Sequence, residues 1–464
     1  MSKIPSIPAL FDEAWNEWIH GHDTRSAEVW YDILKRCKDE NIQSSSIDAL
    51  NYLAMYERIW EGRIEADIDI EGNIKKAESI NYSKGKADSL IELALRAKTS
   101  KDALNKFQSA REIYNSLQNK HGMIKLNYLY GMYLIKRGIE KFGHIFNQFQ
   151  IALQYAIETN NKYYKAQIHH GIGEAFIRLG NLEEASHHFE ISTQIFQYLK
   201  NERKILEVLV SKADIETQKD SIDSSDKLES MYYEFKERIS TRKEKIPLSD
   251  LFNHLSRFCD LFIDSENYKQ ANLLVVDLER ILRQTSVNSS LYFQGKMSLA
   301  LIKGNIQLKL LNLTNAGDLY QYIIRRKSEA KIQDLYGALI SLAIISLYKY
   351  RIFFDINHLT VAQELIREAI HLSEITDHLR GYLRASMVEV SLRMSVGDIE
   401  DLDEMEEIIE TARKKGLLTE ARRAQMEISR FKRIITTRKV VPEDRSVEKV
   451  LRYALEAKKL VWNN

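Results

Sequence analysis

The sequence predicts an all-α protein built as one long solenoid, and three observations lead there. Four prolines and 18 glycines in 464 residues leave few places where a helix must stop, which argues against a strand-rich barrel or sandwich. Apolar and small residues recur at i, i+4 and i+7, one face of a helix. That face itself recurs eleven times along the chain, at a spacing of about 42 residues.

The clearest copy is YYKAQIHHGIGEAFIRLGNLEEASHHFEIS, Tyr163 to Ser192. One helix ends there at Gly180, Asn181 caps the next, and Ala185, Phe189 and Ser192 share a face. Gly173 costs its helix about 1 kcal/mol in propensity, which predicts that a neighbouring helix approaches closely. The same small/large/small face is carried by Ala103/Phe107/Ala110 and by Ala316/Tyr320/Ile323, with Gly304 placed before Ala316 as Gly173 is before Ala185. Weaker copies are Ala27/Tyr31/Leu34, Ile70/Ile74/Ala77, Ile145/Phe149/Ala152, Leu228/Tyr232/Phe235, Ala271/Val275/Leu278, Ala362/Ile366/Ala369, Met405/Ile409/Ala412 and Val447/Leu451/Ala454. The third members step by about 42 residues with one short step of 33, so the chain reads as eleven hairpins, none able to bury its face until a neighbour stacks on it.

A capping hairpin is expected over 1–43, where Phe11, Trp15 and Trp18 form an apolar stripe that closes the first unit. The repeat array follows over 44–440, and a capping helix over 441–464 opens at Pro442 and Asp444. The polar stretches 217–227 and 240–247 are the candidates for flexible loops.

These residues resemble the tetratricopeptide (TPR) repeat: a small residue within helix A (Gly131, Gly173, Gly304), a tight turn, then small, aromatic, small on helix B. Units longer than the usual 34 residues, without the closing proline, resemble the Pins-type adaptors, the kinesin light chains and the Rap-type peptide-pheromone receptors. The resemblance implies a right-handed α-solenoid that binds a protein or peptide in a concave groove lined by helix A. Counting back from the helix B faces, it implies Asp88, Glu92 and Arg96; Tyr128 and Lys136; His170, Glu174 and Arg178; and Leu301, Asn305 and Lys309 as groove residues. Glu92/Arg96 and Glu174/Arg178 also have the i,i+4 spacing of pairs that satisfy each other.

Composition bounds the partners. Lys+Arg 67 against Asp+Glu 66 gives a net charge of +1, so no overall field draws the protein to nucleic acid or to an anionic membrane. Acids from Asp398 to Glu410 precede bases from Arg413 to Lys439. A basic nucleic-acid face there is the rival to simple helix-dipole complementarity. Cys37 and Cys259 read as buried thiols of a cytoplasmic protein. The longest apolar run, Tyr336 to Tyr348, is shorter than the roughly 20 residues a bilayer crossing needs.

Chemistry-bearing patterns are weak. Asp67-Ile68-Asp69-Ile70-Glu71-Gly72 with Glu78 has calcium-loop spacing, but Ile70, Ile74 and Ala77 fall in the repeat register, which needs a helix there. His169, His170, His187 and His188 lie as adjacent pairs whose side chains diverge by about 100°, unlike converging zinc ligands. No phosphate loop, nucleophile elbow or zinc-protease motif occurs. The expectation is a non-catalytic scaffold with no cofactor or metal, whose partner is another protein or peptide; a peptide-switched regulator and a nucleic-acid binder are the alternatives.

Overall fold

The computed structural model describes residues 5–60, 68–97, 99–137, 142–218, 224–241, 246, 248–285, 287, 290–353, 355–375, 379–396, 402–414, 421, 424–425 and 428–429. Twenty helices, and no strand, occur among them. They pair as α1 (Ile7–Ile19) with α2 (Asp23–Asp39), α3 (Gln43–Trp60) with α4 (Ile70–Ser79), α5 (Ser83–Arg96) with α6 (Ser100–Ser116), and α7 (Lys120–Arg137) with α8 (Phe142–Glu158). Next come α9 (Lys162–Leu179) with α10 (Leu182–Tyr198), α11 (Glu202–Gln218) with α12 (Ser224–Thr241), and α13 (Leu248–Asp264) with α14 (Tyr268–Gln284). The series ends with α15 (Ser290–Lys309) and α16 (Leu313–Arg325), α17 (Ile332–Phe353) and α18 (Ile356–Ile375), and α19 (Leu379–Val396) and α20 (Leu402–Lys414).

The fold is an all-α solenoid of helical hairpins. The third members of the repeat face, from Leu34 on α2 to Ala412 on α20, fall one on each even-numbered helix, and all ten are buried. The eleventh face, Val447/Leu451/Ala454, and the expected cap over 441–464 lie outside the described residues, as do 219–223, 242–245 and 247 of the two polar stretches.

Local signals explain the helix ends. The side chains of Asn161, Asn181 and Asn267 accept hydrogen bonds from the amides of Tyr164, Glu184 and Gln270, capping α9, α10 and α14. Gly180 takes the left-handed conformation that closes α9, with φ 71°. Gly173 is where a close approach is required: a Cβ there would stand 2.4 Å from the Phe189 ring of α10. Gly304 meets Tyr320, and Gly131 meets Phe149, in the same way.

Asp69 caps α4 by accepting from the amide of Gly72 at 2.8 Å, and the residues after it are helical with Ile70 and Ala77 buried. A helix, not an open twelve-residue loop, therefore occupies the calcium-like spacing; Asp67 lies outside the described residues.

Two expectations need correcting. Phe11 does pack on Trp30 of its own hairpin, at 5.0 Å between ring centroids, but Trp15 and Trp18 reach far beyond the first unit. Trp15 stands 6.0 Å from Tyr163 and 6.3 Å from Tyr164 of α9, and Trp18 joins the core of Phe189 and Phe196. The turn between α1 and α2 is clasped by α11: the Asn201 side chain donates to the Ile19 carbonyl at 2.8 Å, and Arg203 pairs with Asp23 at 3.0 Å. The curvature of the array returns the N-terminal hairpin to the fifth and sixth units, a contact that no local pattern encodes. Similarly, the apolar run Tyr336–Tyr348 is the middle of a longer helix. The 22-residue α17 is long and apolar enough to cross a bilayer, but Leu335, Leu339, Ala343 and Leu347 are buried among its neighbours in the array.

Candidate functional site

From α3 to α19 each odd-numbered helix touches the next odd-numbered one, while no two even-numbered helices share comparable contact among the described residues. The odd helices are thus the inner, closely spaced layer, and the even ones the outer layer. The groove residues implied by the sequence all lie on inner helices: α5, α7, α9 and α15.

The structure takes most of them up internally. Asp88 accepts hydrogen bonds from Tyr114 at 2.9 Å and from Lys125 of α7 at 2.8 Å, with Lys84 at 3.3 Å. Burial alone would raise its pKa, but Lys125 and Lys84 hold it below the usual carboxylate value. Glu92 is 0% exposed and pairs with Arg58 of α3 at 2.9 Å. Arg96 donates to the Ala54 carbonyl at 2.8 Å and pairs with Glu57 at 3.0 Å. Glu92 and Arg96 therefore do not satisfy each other; both turn to α3, because a helix neighbour offers a better desolvated partner than the next turn of the same surface.

Tyr128 is buried and donates to Gln167 of α9 at 3.2 Å. His170 is 3% exposed and lies 3.0 Å from the Ser211 hydroxyl of α11; burial keeps it neutral by lowering its pKa, against the pull of Glu207 and Glu174. Glu174 accepts a hydrogen bond from Ser211 and lies 3.5 Å from Arg257 of α13, which also pairs with Asp214 at 2.8 Å. Although burial opposes it, Arg257 and His170 lower the Glu174 pKa, with Arg178 adding to the effect. Leu301 packs against Gly337 of α17, Asn305 accepts from Tyr320 at 2.9 Å, and Lys309 is buried. The α15 set therefore belongs to the packing within its hairpin and against the next one.

Lys136 is different. It is exposed near the C-terminal end of α7 and makes no hydrogen bond or ion pair among the described residues. Its ammonium lies within electrostatic reach of Arg58 on α3, Glu174 on α9, and Lys204 and Glu207 on α11. A side chain within reach of charges on three other inner helices faces the concavity. Enclosure by those walls lowers its pKa, Arg58 and Lys204 adding to the effect and the two glutamates opposing it.

Sequence reasoning missed Arg58, Lys204, Glu207, Ser211 and Arg257, because the repeat faces of the third, eleventh and thirteenth helices are poorly marked, and on α7 it picked out Tyr128 and Lys136 but not Lys125. A signal did exist: Lys204, Glu207, Ser211 and Asp214 place a polar residue every three or four positions through the apolar middle of α11, which Lys212 alone interrupts besides them. The histidine pairs also separate: His169 Nδ1 lies 2.9 Å from His188 Nδ1 across the α9–α10 hairpin, away from His170. No group of three or more metal-binding side chains gathers among the described residues.

At the C-terminal end, Arg413 and Lys414 close α20 opposite Asp403 and Glu404 in its first turn, the arrangement a helix dipole favours. Most of the basic stretch up to Lys439 lies outside the described residues.

No protein-family model matches the chain, and no curated protein matches it. Among solved structures the chain is similar to the crystal structure of a Rap protein complexed with competence and sporulation factor, at 13% identity and a TM-score of 0.47, over 89% of this chain and 98% of that one.

Proposed function

We propose that this protein is a non-catalytic TPR-like scaffold that binds a peptide or an extended segment of a partner protein on its concave, odd-helix face. The observation that carries this reading is Lys136, a cation on the inner layer without a hydrogen-bond or ion-pair partner among the described residues, while the charges around it are paired, Arg58 with Glu92 across helices and Lys204 with Glu207 within α11. The ion pairs Arg58–Glu92, Lys125–Asp88 and Arg257–Asp214 join neighbouring inner helices and pre-shape the surface, lowering the ordering cost of binding. Two buried cysteines without a disulfide suit a reducing, cytoplasmic setting.

Lys136→Glu should abolish capture of the native partner, with helicity unchanged, because an exposed substitution costs under about 0.5 kcal/mol. Arg413→Glu at the end of α20 is the control. Loss of the partner in the control alone would move the working surface to the C-terminal end.

A further inference from the structure

A cleft on the rim of the array combines exposed apolar walls with unpartnered cations. It encloses about 340 Å³ where α8 links to α9, between the C-terminal ends of α8 and α10 and the first turn of α9. Ile157 and Tyr198, 60% and 68% exposed, form its walls with Ala156 and Ile195. Its lining carries two lysines, Lys162 and Lys165, and no acid. Neither lysine makes a hydrogen bond or ion pair among the described residues, and the Lys162 ammonium lies over the Tyr198 ring, 4.1 Å from its centroid. The acids beside the cleft in sequence are engaged elsewhere: Glu158 accepts from Lys120 at 2.8 Å, and Glu202 pairs with Arg238 at 3.2 Å.

We propose that this rim cleft is a second docking site, for a segment of a partner protein that carries a carboxylate side chain within one turn of a bulky apolar one. The apolar side chain enters between Ile157 and Tyr198, and the carboxylate meets Lys162 and Lys165. The site goes beyond the concave-face reading and does not rest on it. Lys136 lies near the C-terminal end of α7, whereas the cleft opens at the N-terminal end of α9, which runs beside α7 in the same direction. At about 1.5 Å per residue the two are roughly 25 Å apart along the helices.

Charge decides the occupant. Lys162 and Lys165 have the i,i+3 spacing that makes them neighbours on one face of α9, where like charges repel and no acid of the cleft offsets them. An incoming carboxylate relieves that repulsion, and covering Ile157 and Tyr198 takes the new ion pair partly out of water, where it is worth more than an exposed pair. A free small anion fits less well, because sites for small ligands bury most of the ligand and these walls are open to solvent. A chain can also continue along the rim to Leu117, exposed at the same end of α6 one unit back. A nucleic acid would need the face of Tyr198 that Lys162 covers, and two lysines offer few phosphate contacts.

The test uses the immobilised full-length protein and dodecapeptide libraries, blocked at both ends and randomised except for a central Glu, Gln or Lys, with an oligouridylate as the nucleic-acid probe. Retained peptides are identified and quantified by mass spectrometry. The wild type should retain the Glu library at least about tenfold over the Gln one, with aromatic or large aliphatic residues enriched within a turn of the Glu. Lys162→Gln combined with Lys165→Gln should remove the preference for Glu, and Ile157→Ser the apolar enrichment, both with wild-type helicity, while Lys136→Glu should leave both preferences in place. Equal retention of the Glu and Gln libraries, or a preference for Glu that the double lysine variant keeps, overturns the rim site and leaves the concave-face reading standing. Retention of the oligouridylate above the Glu library, lost in the double lysine variant, overturns the protein segment as occupant. No retention of any library above the blank support overturns the rim site as well.

Discussion

Gly173 gives the sharpest test of how the hairpins pack. In an open helix, Gly→Ala stabilises by about 1 kcal/mol. At Gly173 the new methyl carbon would stand 2.4, 2.6 and 3.0 Å from three carbons of the Phe189 ring, against roughly 3.5–4 Å for ordinary carbon contacts. Phe189 is fully buried and cannot swing away without moving the α9–α10 core. Overpacking of this kind costs about 1–3 kcal/mol, so Gly173→Ala should be neutral to destabilising by about 2 kcal/mol despite the propensity gain. In a Phe189→Leu background the obstacle is smaller, and the same substitution should become stabilising. Urea midpoints followed by helical circular dichroism, for the four members of this cycle, isolate a coupling of about 1–3 kcal/mol. Gly143→Ala, with nothing within 4 Å of its Cβ, is the control and should not destabilise. Equal stabilisation by Gly173→Ala in both backgrounds would refute the close approach.

Other consequences follow from the buried charges. Arg203→Ala leaves Asp23 and Asp250 without their shared cation, so it should destabilise by about 3–5 kcal/mol and open the His20–His22 turn to limited proteolysis; an unchanged digestion pattern would mean that α11 does not hold the N-terminal hairpin. On α13, burial, with Asp264 and Asp334 adding to it, raises the folded-state pKa of Asp260 from 3.8 to about 8, so its contribution to stability is full below about pH 4 and is lost as pH rises toward 8; Asp260→Asn should flatten that fall in a pH series of melting curves, and an unchanged slope would place the titrating group elsewhere. His169 has the opposite sign: burial, with His188 beside it, depresses its pKa from 6.5 to about 4, so stability present above pH 6.5 is lost on acidification toward 4. His169→Gln should therefore reduce acid sensitivity in that window, and an undiminished loss would place the titrating group elsewhere.

The repeat was legible because side chains at i, i+4 and i+7 share a face whatever lies around them, and the buried face of every even helix from α2 to α20 sits where that rule puts it. The turns were less so. Asn41, Asn81, Gln118, Asn160, Lys200, Glu266 and Leu311 all adopt left-handed backbone at hairpin ends or links, but only the asparagines belong to a residue type that announces it. The return of Trp15 and Trp18 to α9 depends on curvature summed over several units and has no local signature. Of the groove residues, the helix assignment was readable, but the choice between solvent and a neighbouring helix was not: Glu92 and Arg96 have ideal spacing for each other and bind α3 instead. Lys136 stands out only once the partners of the remaining charges are known.

The central claim is that the concave face is the working surface. A photoreactive residue placed at Lys136 on that face, and another at Val276, 61% exposed on α14 of the outer layer, compare the two sides in one experiment with extract from the protein's own cells. The account predicts a discrete cross-linked species from position 136 and none from position 276. A partner captured at 276 and not at 136 would contradict it.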